Sequence, residues 1–108
     1  MLEFHESSQG QAAELAAVVA LGEPFEISLP ENPTTGFRWQ MASAGEPACA
    51  LVEDHFTPGR APGGQGIHRW RFQAAQTGEA NIRMLLQRQW APTAEPARSF
   101  ALRVRVKP

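Results

Sequence analysis

Apolar residues recur at every second position along most of this chain. Phe25, Ile27 and Leu29 alternate with Glu26 and Ser28, and Phe37, Trp39 and Met41 with Arg38 and Gln40. His68, Trp70, Phe72 and Ala74 then alternate with Arg69, Arg71 and Gln73. Ala80, Ile82, Met84 and Leu86 follow the same rule, as do Phe100, Leu102, Val104 and Val106. A period of two sends successive side chains to opposite faces of an extended strand, so each segment has one face to bury. A shorter strand, roughly Ala50 to Phe56, puts Leu51, Glu53 and His55 opposite Val52, Asp54 and Phe56. Ala13 to Ala20 is the ambiguous segment: its alanines favour helix, but Leu15, Val18 and Val19 also fit a strand. The turn Gly22-Glu23-Pro24, leading straight into Phe25, decides for strand. Residues 1–12 are polar and patternless, a flexible lead-in or an edge extension ahead of a domain at 13–108.

About seven such segments without a convincing helix imply an all-β chain of two antiparallel sheets packed face to face. The expected architecture is an immunoglobulin-like sandwich of about seven strands, without the cysteine pair of antibody domains. Nine glycines and nine prolines in 108 residues suit a chain that turns this often. A chain of this length buries roughly 60–68% of its unfolded surface, enough for one core.

Composition excludes several functions. Ten basic against eleven acidic residues leave a net charge of −1, so no nucleic acid partner is expected. The longest apolar run, Leu15 to Leu21, is too short for a bilayer, so no membrane partner is expected either. A cytoplasmic location is expected if Met1 is the native start, and a periplasmic or secreted one if a signal peptide has been removed. Cys49 stands alone, which rules out an internal disulfide and makes it a half-buried apolar filler. His5, His55 and His68 lack ligand spacing, so neither metal nor cofactor is expected. Glu53 and Asp54 point to opposite faces, and no other catalytic cluster is present. The chain reads as a monomeric binding protein without catalytic residues.

Three interruptions stand out. Asn32-Pro33-Thr34-Thr35-Gly36-Phe37 joins two strands, with Pro33 fixing its own φ and pushing Asn32 out of the helical region. Gly36 can take a positive φ, which leaves two hydroxyls and two free N–H groups, of Thr34 and Thr35, at the tip. Residues 57–66 hold four glycines and two prolines, ending in Gly63-Gly64-Gln65-Gly66. Arg88-Gln89-Trp90 opens the last connection, where no alternation would bury the tryptophan. Trp39 and Trp70, by contrast, sit in phase with alternating strands and read as core. In an immunoglobulin-like sandwich these three connections gather at one end.

With the loops so placed, the chain resembles the chagasin family, small immunoglobulin-like inhibitors of papain-like cysteine proteases. The family's marks are Asn-Pro-Thr-Thr-Gly-aromatic, a Gly-Gly-x-Gly loop and Arg-Pro-Trp. Here Asn32 to Phe37 and Gly63 to Gly66 are complete, while Gln89 replaces the central proline of the third motif. The resemblance spans about 15 to 107 and implies a reversible, non-covalent inhibitor. By resemblance, Thr34 and Thr35 enter the protease's catalytic centre, and Pro33 and Gly36 hold the loop's shape. Gly63 to Gly66 lie along the unprimed side of the cleft, and Trp90 anchors the primed side. Arg88 either braces its own loop through backbone carbonyls or meets an acidic group on the protease. Gln89 frees a φ that proline would lock, worth about 0.4–1 kcal/mol of ordering entropy, so a weaker or broader inhibitor is expected. An adhesion or scaffold module built on the same fold is the competing reading.

Overall fold

Eight strands form two four-stranded sheets in the computed structural model, which describes residues 2–5, 12–60, 64–88, 90 and 96–108. In chain order the strands are β1 (Leu2–His5), β2 (Ala12–Ala20), β3 (Pro24–Glu31), β4 (Phe37–Ala44), β5 (Cys49–Thr57), β6 (Gly66–Ala74), β7 (Gly78–Arg88) and β8 (Arg98–Lys107). One sheet has the order β1-β3-β6-β5 and the other β2-β8-β7-β4. The four ladders β3–β6, β5–β6, β4–β7 and β7–β8 are antiparallel, as alternation led us to expect. The two N-terminal strands are the exception: β1 pairs with β3 and β2 with β8 in parallel, each adding an edge to one sheet.

The alternating residues meet between the sheets. Phe25, Ile27, Leu29, Trp70 and Phe72 come from one sheet, and Ile82, Met84, Phe100, Leu102 and Val104 from the other, all buried. Phe25 and Phe72 are register partners and stack at 5.3 Å with an interplanar angle of 12°. At about 1.5–3 kcal/mol per buried large side chain, this interface supplies the main folding drive. Trp39 and Trp70 are both buried, as their phase implied.

Ala12–Ala20 is a strand although alanine favours helix, because every residue of it pairs with β8, from Ala12 opposite Ser99 to Ala20 opposite Lys107. Tertiary pairing overrides a weak local preference. Within residues 1–12, Leu2–His5 is the edge strand β1, and Phe4 packs edge-on against Phe25 at 6.2 Å. Cys49 departs from expectation: it is 1% exposed, fully buried instead of half-buried, because it starts β5 on the inward face. Burial pushes its thiol pKa up.

Strand directions fix where the loops go. Both β3 and β5 run antiparallel to β6, so they end on the same side. Strand β4 begins just past the end of β3, and β7 runs antiparallel to it. The connections after β3, β5 and β7 therefore open at one end of the sandwich.

Candidate functional site

The threonine loop is a single 3-10 turn, Pro33–Thr35, capped at both ends. Asn32 is extended, with φ −120° and ψ 96°, as the following proline requires. Its side-chain oxygen accepts from Thr34 N at 3.1 Å and from the Thr34 hydroxyl at 2.6 Å. Its carbonyl accepts from Thr35 N at 3.1 Å and from the Thr35 hydroxyl at 2.7 Å. Gly36, at φ 84°, closes the turn with a bond from its N–H to the Pro33 carbonyl. The expectation of two free N–H groups at the tip is thus corrected. Both threonine amides donate to Asn32, because an N-cap asparagine satisfies the orphan donors of the turn behind it. Thr34 and Thr35 remain exposed, on a loop whose shape is held by its own hydrogen bonds.

Trp90 joins this loop. A Cβ on Gly36 would run into the indole, with Cη2 nearest and Cζ3 at 2.7 Å. The indole is nevertheless 69% exposed, so one side rests on the glycine and most of the rest is open. Arg88, directly opposite Phe37 in the β4–β7 ladder, lays its guanidinium 4.9 Å from the Phe37 ring centroid and 5.9 Å from that of Trp90. Arg88 thereby links the first strand residue after the threonine loop to Trp90, through ring faces and not through the backbone carbonyls expected of a brace. Gln89 lies outside the described residues.

The described ends of the glycine loop are closely packed. A Cβ on Gly66 would meet the Thr57 carbonyl and the Phe56 ring, with Cζ at 2.7 Å. One on Gly59 would strike the Gln65 carbonyl. Gly66 is buried and opposite Glu31, so it ties this loop to the threonine-loop stem, while Gln65 is exposed and Gly64 half-buried. Gly63 lies outside the described residues.

Residues 18–104 match the description "Chagasin family peptidase inhibitor I42". The chain belongs to the chagasin family. It is 37% identical over 91 residues to amoebiasin-1 of Entamoeba histolytica, covering 82% of this chain and 87% of that protein. Chagasin of Trypanosoma cruzi is 28% identical over 90 residues, covering 78% and 82%. Among solved structures, the cysteine protease inhibitor EhICP2 from Entamoeba histolytica superposes with a TM-score of 0.77 at 21% identity, over 98% of this chain and 96% of that one. PbICP-C, solved in complex with falcipain-2, gives 0.78 at 17% identity over 99% and 100%. Members of this family are peptidase inhibitors and not enzymes.

The chagasin-like loops stand on a buried polar group that the motifs do not include. Glu31, 1% exposed, accepts a 2.7 Å hydrogen bond from Trp39 N on one carboxylate oxygen. Its other oxygen is 3.0 Å from His68 Nδ1 and 3.9 Å from the Arg38 guanidinium. His68 Nε2 contacts Asp54, and the ring stacks on Trp70 at 3.9 Å. The sequence held a signal for it: Glu31 and His68 both occupy the inward phase of apolar strands.

Proposed function

We propose that this chain is a reversible, non-covalent inhibitor of papain-like cysteine proteases that closes the active-site cleft with three loops. The contacting residues are Asn32, Pro33, Thr34, Thr35, Gly36 and Phe37 in the first loop, Gly63 to Gly66 in the second, and Arg88 and Trp90 in the third. Such a protease holds a thiolate beside a histidine in an open cleft. A blocker must fill that cleft without offering a peptide bond in the geometry that is attacked. The observation that carries the reading is the seat of Trp90 on Gly36, which joins an exposed apolar anchor to an internally hydrogen-bonded threonine turn. Prefolded loops avoid about 0.5–1.5 kcal/mol of ordering cost per side chain on binding. Family membership and the falcipain-2 complex of PbICP-C point the same way.

The threonine hydroxyls keep acceptor lone pairs that can face the donor groups of a cysteine–histidine centre. Gly64 offers backbone for extended pairing, the mode by which a peptide edge gains main-chain hydrogen bonds. Dilution of a preformed papain complex tests the mechanism. Activity should return on dilution, and the inhibitor should be recovered with unchanged mass. A cleaved chain, or a mass increase from a covalent adduct, would contradict it.

A further inference from the structure

Loops between antiparallel neighbours inherit their exit angle from the ladder beneath them. The threonine loop has no such ladder, since β3 belongs to one sheet and β4 to the other. What joins its stems is a pair of hydrogen bonds to Trp39. The backbone N–H donates to the Glu31 carboxylate at 2.7 Å, and the indole N–H donates to the Pro30 carbonyl at 2.9 Å. The first depends on a buried side chain. Its orientation is set by His68, two residues along β6 from Gly66, the register partner of Glu31.

We propose that Glu31 and His68 are positioning residues for the threonine loop, holding Trp39 N–H across the gap between the sheets so that Thr34 and Thr35 are presented at one fixed angle. A carboxylate taken out of water costs several kcal/mol unless it is paired and hydrogen-bonded. Glu31 is both, and each bond runs to a different element: β4 through Trp39, and β6 through His68. Asp54, on β5, takes the remaining nitrogen of the same ring, so His68 in turn is held from two sides. Arg38, on β4, adds a weaker cationic contact to Glu31. The group lies at the foot of the loop, with Glu31 directly before Asn32 and Arg38 directly after Phe37. Its influence on a protease would be indirect, and in that respect the inference rests on the inhibitor reading.

The test uses amide hydrogen exchange in the free protein beside inhibition of papain. The double variant Glu31→Leu with His68→Phe removes both polar groups, keeps apolar volume and retains an aromatic ring over Trp70. Removing both partners together leaves no orphan charge, so the domain should stay folded. Exchange at Trp39 N–H should accelerate by about tenfold or more, with faster exchange at Thr34, Thr35 and Gly36, while core amides of β6 and β8 keep their protection. Glu31→Gln keeps an acceptor for Trp39 and a polar contact for His68, and should remain within about threefold of the parent chain. His68→Phe alone, which leaves the carboxylate with Trp39 N–H and the Arg38 guanidinium as its contacts, is the second perturbing variant should the double one fail to fold. It should accelerate the same amides. Unchanged exchange at Trp39 and the loop in a folded perturbing variant overturns the proposal, whether or not the parent chain inhibits papain. Papain left uninhibited by the parent chain overturns the inhibitor reading instead, and the exchange result still stands by itself. Where the parent inhibits, the perturbing variants should inhibit about tenfold less well and Glu31→Gln should restore inhibition.

Discussion

The indole of Trp90 rests on Gly36, so that an exposed aromatic from the third connection packs against the close of the first loop. Were Gly36 any other residue, its Cβ would occupy the space the ring takes. The pairing couples the position of an exposed aromatic anchor to the closing residue of a capped 3-10 turn. Arg88, between Phe37 and Trp90, extends the coupling to the first residue of β4.

Trp90→Ala should raise the inhibition constant against papain by roughly 30- to 700-fold, the loss of about 2–4 kcal/mol expected for a central aromatic anchor. Most of the change should appear as faster dissociation. Melting temperature should hardly move, since the side chain is mostly in solvent. Trp70→Ala is the contrast, because it opens a cavity beneath His68 and should destabilise the fold by about 3–5 kcal/mol. Thermal denaturation and inhibition assays on both variants separate anchor from core.

Gly36→Ala should weaken inhibition and cost about 1–2 kcal/mol of stability. A side chain is strained at φ 84°, and the new methyl group would displace the indole. Tryptophan fluorescence of the free protein should report the displacement. An unshifted spectrum together with parental inhibition would refute the contact.

Two glycines of the second loop should behave differently. Gly66→Val would drive a branched side chain into the Thr57 carbonyl and the Phe56 ring, so it should lower the melting temperature markedly. Gly64→Val should leave melting near the parent value while weakening inhibition, because it narrows the approach of backbone to the cleft. Equal stability losses would assign both glycines to the fold.

Cys49→Ser should leave inhibition intact, since the thiol lies in the core away from the loops. It should cost about 1–3 kcal/mol of stability for placing a hydroxyl where a small apolar group packs. With the thiol buried and its pKa raised, iodoacetamide at pH 8 should modify the native chain far more slowly than the unfolded chain. Rapid alkylation of the native protein would argue against this placement.

Much of this was legible in the sequence, for identifiable reasons. Phe25, Ile27, Leu29, Trp70 and Phe72 declared their burial by phase alone, because a strand's period is rigid. The threonine turn was legible because Pro33 and Gly36 each restrict the backbone in a way that few other residues do. What remained hidden was side-chain bonding between elements. Asn32 taking the Thr34 amide on its side chain is a matter of rotamer and reach, and its carbonyl takes the Thr35 amide only once the turn has folded. Glu31 meets His68 diagonally across two strands whose register no local pattern specifies. Strand β1 was hidden for another reason, since Leu2–His5 is too short to establish a period.

Titration of active papain with the intact chain tests the central claim most directly. The account expects stoichiometric loss of peptidase activity with a dissociation constant in the nanomolar range, about −11 to −13 kcal/mol. Peptidase activity left whole by a large excess of correctly folded chain, at micromolar concentrations, would contradict it.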